Sequence, residues 1–147
     1  MARSNSPNKS ARLKKILNFL SFRARSEKEV RDRLTKYGLT QDEITIEVER
    51  LKKWKLVDDQ DFAQVYVESR SRFKPRSNWL INLELKRKGV KPAAETIPDL
   101  ELAKLALEKK KNLKSAQQAA QFLKSRGFKW ETIEKAIKNK YNNDDVN

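Results

Sequence analysis

The chain has 147 residues, of which 37% are hydrophobic and 37% charged, with three Gly, no Cys, no His and a net charge of +14. Without Cys or His there is no thiol nucleophile, imidazole base, disulfide or ordinary zinc site, so no enzyme, catalytic residue, metal or cofactor is expected. No apolar run approaches the roughly 18 residues of a membrane span, and the basic opening MARSNSPNKSARLKK lacks an export stretch. The expectation is a soluble cytoplasmic protein, away from membranes, that works beside a polyanion.

In chain order, residues 1–9 read as a disordered basic terminus. Leu13, Ile16, Leu17 and Leu20 then recur at helical spacing. Ser26 opens a second helix, with Glu29 completing a capping box, Val30, Leu34 and Tyr37 on one face, and Gly38 as the closing residue. A further box, Thr40 with Glu43, starts a helix through Ile44, Val48 and Leu51. These three helices make a first module, about residues 10–57.

The acidic run Asp58, Asp59 and Asp61 lacks the spacing and Gly of a calcium loop, so Asp58 or Asp59 is expected to cap a helix rather than to hold an ion. Phe62 and Ala63 follow as core, then Tyr66, Val67 and Phe73 on the same stripe. Ser77 and Gly89 bracket the next helix, with Leu80, Ile81 and Leu85 inside it. Beyond it, Pro92 permits a helix start and Pro98 ends it, which predicts a short last helix for a second module, about 58–98.

Leu102, Leu105 and Leu107 open a third module, about 99–141. Ser115 and Gly127 bracket its middle helix, with Ala119, Ala120 and Leu123, and Trp130, Ile133 and Ile137 form its last. Residues 142–147 read as a disordered tail. Every Gly in the chain thus lies twelve residues after a Ser, in one frame: Ser26 to Gly38, Ser77 to Gly89, Ser115 to Gly127. With no strand-like alternation anywhere, the expected fold is all-α: three tandem three-helix repeats forming an elongated, curved array.

Positive charge is uneven. Residues 1–25 carry no acid, and residues 70–91 carry eight cations against Glu84 alone. The candidate partner surface is Arg23, Arg25, Arg70, Arg72, Lys74, Arg76, Lys86, Arg87, Lys88, Lys91 and Arg126. Lys86, Arg87 and Lys88 also suit a helix C-terminus electrostatically. Two of the three tryptophans occupy positions where the repeat otherwise has polar or helix-starting residues: Trp79 matches Lys28 and Gln117, and Trp130 matches Gln41 and Pro92. Two readings stand for the tryptophans: stacking on a base or anchoring a partner, or packing between modules.

The runs ARSEKEVRDRLTKYGL, LVDDQDFAQVYVESR and LINLELKRKGV resemble the RecX family of bacterial recombination regulators, whose members carry a Ser-led helix ending in Leu-x-x-x-Gly, an Asp-Asp-x-x-Phe-Ala segment and a later Leu-Lys-x-Lys-Gly. The resemblance covers about residues 11–141 and is strongest from Arg25 to Val90. It implies a non-enzymatic inhibitor of the RecA recombinase that binds in the groove of the RecA filament on single-stranded DNA; a monomer is expected, and charge alone predicts weak, nonspecific affinity for duplex DNA. Filament growth, ATP hydrolysis, strand exchange and the coprotease role in the SOS response would be its targets. The alternative is a direct DNA-binding helical protein without a recombinase partner, either nonspecific or of helix-turn-helix type; the acid-rich start of the helix after Thr40 (Asp42, Glu43, Glu47, Glu49) argues against the latter.

Overall fold

In the computed structural model, which describes residues 5–142, all regular structure is helical: α1 (Asn5–Phe22), α2 (Glu27–Lys36), α3 (Gln41–Lys53), α4 (Asp59–Arg72), α5 (Asn78–Arg87), α6 (Asp99–Lys109), α7 (Ala116–Ser125) and α8 (Trp130–Ile137). A π-helical turn, Lys138–Asn142, continues α8. Packing groups these residues into two compact units, one running to Phe62 and including Lys88–Val90, the other comprising Ala63–Arg87 and the chain from Lys91 onward.

Local chemistry sets the helix ends. Ser26 Oγ accepts from the Glu29 amide (3.2 Å) while Glu29 Oε1 accepts from the Ser26 amide (3.2 Å). Thr40 and Glu43 do the same for α3, at 3.3 and 2.8 Å. Ser77 Oγ takes the Leu80 amide at α5 and Ser115 Oγ the Gln118 amide at α7. Each cap satisfies an amide that the first helical turn leaves without a partner. Asp58 caps α4, its Oδ1 accepting from Gln60 and Asp61 (3.0 and 3.1 Å). At the other ends, Gly38 and Gly127 sit at φ +89° and +86°, and the residues after them donate back to Leu34 O and Leu123 O, the left-handed closure that a Cβ disfavours.

In the first unit Ile16, Phe19, Val30, Leu34, Ile44, Val48, Leu51 and Val57 form one core from α1, α2 and α3. In the second, α6, α7 and α8 pack on one another and bury Leu102, Ala106, Ala119, Leu123, Ile133 and Ala136. Phe62 and Ala63, at the start of α4, are also buried.

Several expectations need correction. The backbone is helical from Asn5, so disorder over residues 1–9 does not hold for 5–9; Pro7 falls in the first turn, where its missing N–H costs nothing. Residues 1–4, and 143–147 of the expected tail, lie outside the described residues. The short helix after Gly89 is absent: residues 91–98 carry no helix. Pro92 and Pro98 limit a helix here to little more than one turn, too short to hold on its own, and side chains take over the backbone groups instead. Gln64 Nε2 donates to Glu95 O (2.9 Å) and Asn78 Nδ2 to Ile97 O (2.7 Å). Leu17 and Phe73, assigned to apolar stripes, are exposed, at 37% and 65%.

Each unit also contains a joint of the same construction, in which the start of one Ser-led helix receives the glycine that ends the next. In the first unit, a Cβ on Gly89 would lie 3.1 Å from Lys28 Cδ. In the second, a Cβ on Gly127 would lie 2.6 Å from Ser77 Oγ and 3.1 Å from Leu80 Cβ, and the Ser77 amide donates to Arg126 O at 3.0 Å. Ser26 and Ser77 are fully buried. An acid at the first position of a later helix, α4 or α6, completes each joint: Asp59 accepts from the Glu27 amide (2.8 Å) and Asp99 from the Asn78 amide (2.9 Å). Gly38 and Ser115 take no part in a joint: nothing lies within 4 Å of a Cβ on Gly38, and Ser115 is exposed.

Candidate functional site

The candidate cations differ sharply in what surrounds them. In the first unit, Arg23 pairs with Glu29 at 2.6 Å. Arg25 is nearly buried, lies 3.9 Å over the Phe19 ring and donates from Nε to Phe19 O at 3.2 Å, so its guanidinium is part of the fold. Lys88 is also in this unit, and its charge acts on Glu29. Burial works against the Glu29 carboxylate, but hydrogen bonds from Arg23 and the Ser26 amide and the charges of Arg23 and Lys88 hold its pKa below the usual range.

In the second unit, Arg72, Lys74, Lys86, Arg87 and Lys91 are exposed. Among the described residues none of them lies within ion-pair distance of a carboxylate. Lys74 has φ +56°, a left-handed conformation that a β-carbon disfavours, and its carbonyl accepts from Arg76 Nε at 3.0 Å. The strained turn thereby aims Arg76 at Glu84, whose two oxygens are shared between Arg76 Nη1 and Tyr66 OH, the latter at 2.6 Å. Burial first, and the Glu84 bond second, push the Tyr66 phenol up to about 12. Arg70 lies 5.0 Å over the Tyr66 ring with its Nε buried and without a hydrogen-bond partner. Arg126 rests on the Phe122 ring at 4.9 Å, and burial together with the nearby Arg76 disfavours its charge.

Repeat-equivalent positions make the contrast explicit. Arg25 and Arg76 precede the Ser, Lys88 and Arg126 precede the Gly, and Glu29 and Leu80 stand three residues after the Ser. Glu29 neutralises the first joint. Leu80 leaves the second without that acid, and no carboxylate pairs with Arg126 among the described residues.

Trp54, Trp79 and Trp130 are 51%, 64% and 65% exposed, so none is the buried packing residue that one reading of them required. Composition could not reveal two other features. A cavity of about 240 Å³ in the first unit, between α1 and α3, is lined by Leu13, Ile16, Leu34, Leu39 and Ile46 and rimmed by Arg12, Arg50, Glu43 and Glu47. The asymmetry between the two joints was visible only as Glu29 against Leu80, a single position in the repeat. Among the described residues no helix is long and apolar enough to cross a membrane.

Comparison with known proteins gives this arrangement relatives. Residues 13–51 match the model of the first three-helix domain of RecX, and residues 58–94 that of the second. The chain is 33% identical over 141 residues to the regulatory protein RecX of Chlorobaculum tepidum, covering 88% of both chains. It is 32% identical over 148 residues to that of Bacillus licheniformis, covering 90% of this chain and 56% of the relative. A 74-residue match to the Oceanobacillus iheyensis protein, 46% identical, covers 50% of this chain and 27% of that one. The chain therefore spans about half the length, or less, of these last two relatives. The crystal structure of RecX from Lactobacillus salivarius has the same fold, with a TM-score of 0.68 at 22% identity over 91% of this chain and 97% of that one.

Proposed function

Because the chain belongs to the RecX family of regulatory proteins, we propose that it restrains the RecA recombinase by lodging in the groove of the RecA filament on single-stranded DNA. The observation that supports this best is the set of exposed cations Arg72, Lys74, Lys86, Arg87 and Lys91, none within ion-pair distance of a carboxylate among the described residues. Such cations suit a partner whose surface combines phosphate with protein carboxylate. Three modules, about residues 10–57, 58–98 and 99–141, would each take a share of the groove, with the protein acting in the cytoplasm as a monomer. Filament growth, ATP hydrolysis, strand exchange and coprotease activity would all slow.

A helix-turn-helix reader of duplex sequence is the weaker reading. The first turn of α3 carries Asp42 and Glu43, and that of α8 carries Glu131, so acids lead where such a reader meets phosphate. The deciding experiment measures RecA's DNA-dependent ATPase and strand exchange with this protein well below one copy per recombinase monomer. Inhibition at those ratios is expected. No inhibition at any ratio overturns the proposal.

A further inference from the structure

The second joint is electrostatically incomplete in a way the first is not. Its backbone bond, Ser77 N to Arg126 O, brings two guanidinium-bearing residues, Arg76 and Arg126, to one seam. Arg76 has Glu84; Arg126 has no acid among the described residues, and its neighbour is a like charge. A partly buried cation held beside another is unfavourable unless an anion completes the set. The same seam holds Trp79, whose ring edge Cε3 lies 3.6 Å from where a Cβ on Gly127 would sit and which is nevertheless 64% exposed. In the first joint the equivalent residue is Lys28, paired with Asp32 at 3.2 Å, and Glu29 already supplies the anion.

We propose that the second joint is a nucleotide-sized site for single-stranded nucleic acid, in which Arg126 and Arg76 take a backbone phosphate and the exposed face of Trp79 takes the adjoining base. Arg126, which has no acid partner among the described residues, leads recognition of the phosphodiester with Arg76, already held by Glu84, beside it, and an indole stacks on any base without sequence preference. Duplex DNA satisfies the phosphate half alone, because its bases are already stacked, so the site favours single strands. The assignment deepens the filament reading, which puts a DNA strand within reach, but its chemistry needs no recombinase.

The test uses the full chain with Trp54→Phe and Trp130→Phe, so that Trp79 is the only indole, titrated with oligothymidylate alone at low salt. Saturable quenching of Trp79 is expected. Arg126→Gln should weaken binding on the order of tenfold and lower the salt slope by about one, whereas Arg126→Lys should keep most of the affinity. In the otherwise unaltered chain, Trp79→Ala should weaken binding by about tenfold and Trp54→Ala should leave it unchanged. Helicity by circular dichroism checks folding, and Trp79, being exposed, keeps the test decisive if Arg126→Gln proves unstable. Inorganic phosphate at millimolar concentration should displace the oligonucleotide without quenching Trp79; quenching by phosphate alone would overturn the base-stacking assignment. Quenching that appears only when recombinase is added would make Trp79 a protein contact, and absence of quenching in every mixture would remove the site; both overturn the proposal. Quenching by oligonucleotide together with an uninhibited RecA ATPase would reject the filament reading and leave this site standing.

Discussion

Gly38 and Gly127 close equivalent helices with the same left-handed backbone, yet a methyl group meets open space at the first and Ser77 Oγ at 2.6 Å at the second. Gly38→Ala should therefore cost only the left-handed strain, about 1 kcal/mol, whereas Gly127→Ala adds overpacking of a buried joint and should cost about 3 kcal/mol. Urea denaturation of the two variants checks the difference. The serines follow the same logic in reverse. Ser77 is fully buried and Ser115 exposed, so Ser77→Ala should lose about 1–2 kcal/mol and Ser115→Ala no more than about half of that, because water replaces the lost cap only where it has access.

Between elements, carboxylates do the joining. Asp99 accepts from both the Asn78 amide and its side chain, at 2.9 and 2.8 Å. Asp99→Ala removes the acceptor of the Asn78 backbone amide, while the side chain keeps Ile97 O, and should destabilise the second unit by about 1–3 kcal/mol, with faster amide exchange at Asn78 as the local readout. In the first unit the Glu27 carboxylate binds Lys52 at 2.8 Å and Arg31 at 2.9 Å, and hydrogen bonds from Lys52 and Arg31, against the opposing effect of burial, hold its pKa below the ordinary value. A carboxylate depressed in the folded state adds stability above its unfolded pKa and loses it as pH falls through the folded one. Stability should accordingly decline below about pH 4, and Glu27→Gln should flatten that decline in urea midpoints measured across acidic pH. Tyr66 works in the opposite direction. Its phenol, raised to about 12 from an unfolded value near 10, adds stability that is complete below about pH 10 and lost as pH rises toward 12. Tyr66→Phe should remove that alkaline step.

For the protein acting on its partner, charge decides. Lys86 and Arg87 are exposed in the last turn of α5, so Lys86→Glu with Arg87→Glu should leave helicity almost unchanged. The pair should nevertheless weaken filament engagement several-fold and reduce its sensitivity to salt, which inhibition assays at two ionic strengths will show. Equal inhibition by the double variant would move the contact elsewhere. The +14 charge alone does not identify the working surface, since Arg23 and Arg25 lie in a basic stretch without any acid and are both engaged inside the first unit.

How far the amino-acid order carries follows from the range of each interaction. The all-helical class and the capped helices could be read from spacing, because a cap joins residues three apart and a helical stripe repeats every three or four. The family motifs were visible for the same reason. The missing helix between Pro92 and Pro98 was half visible: the prolines marked its limits, but Gln64 and Asn78, which take over its backbone groups, come from distant segments. Burial of Trp79 and Trp130 could not be judged from the repeat, nor could the fate of each cation. Arg25 and Arg76 hold the same position in the frame, yet one lies against Phe19 and the other meets Glu84 beside Arg126. Whether a charge is cancelled or left available depends on which remote side chains are brought within a few ångströms of it, and that follows from packing, which residue spacing does not encode.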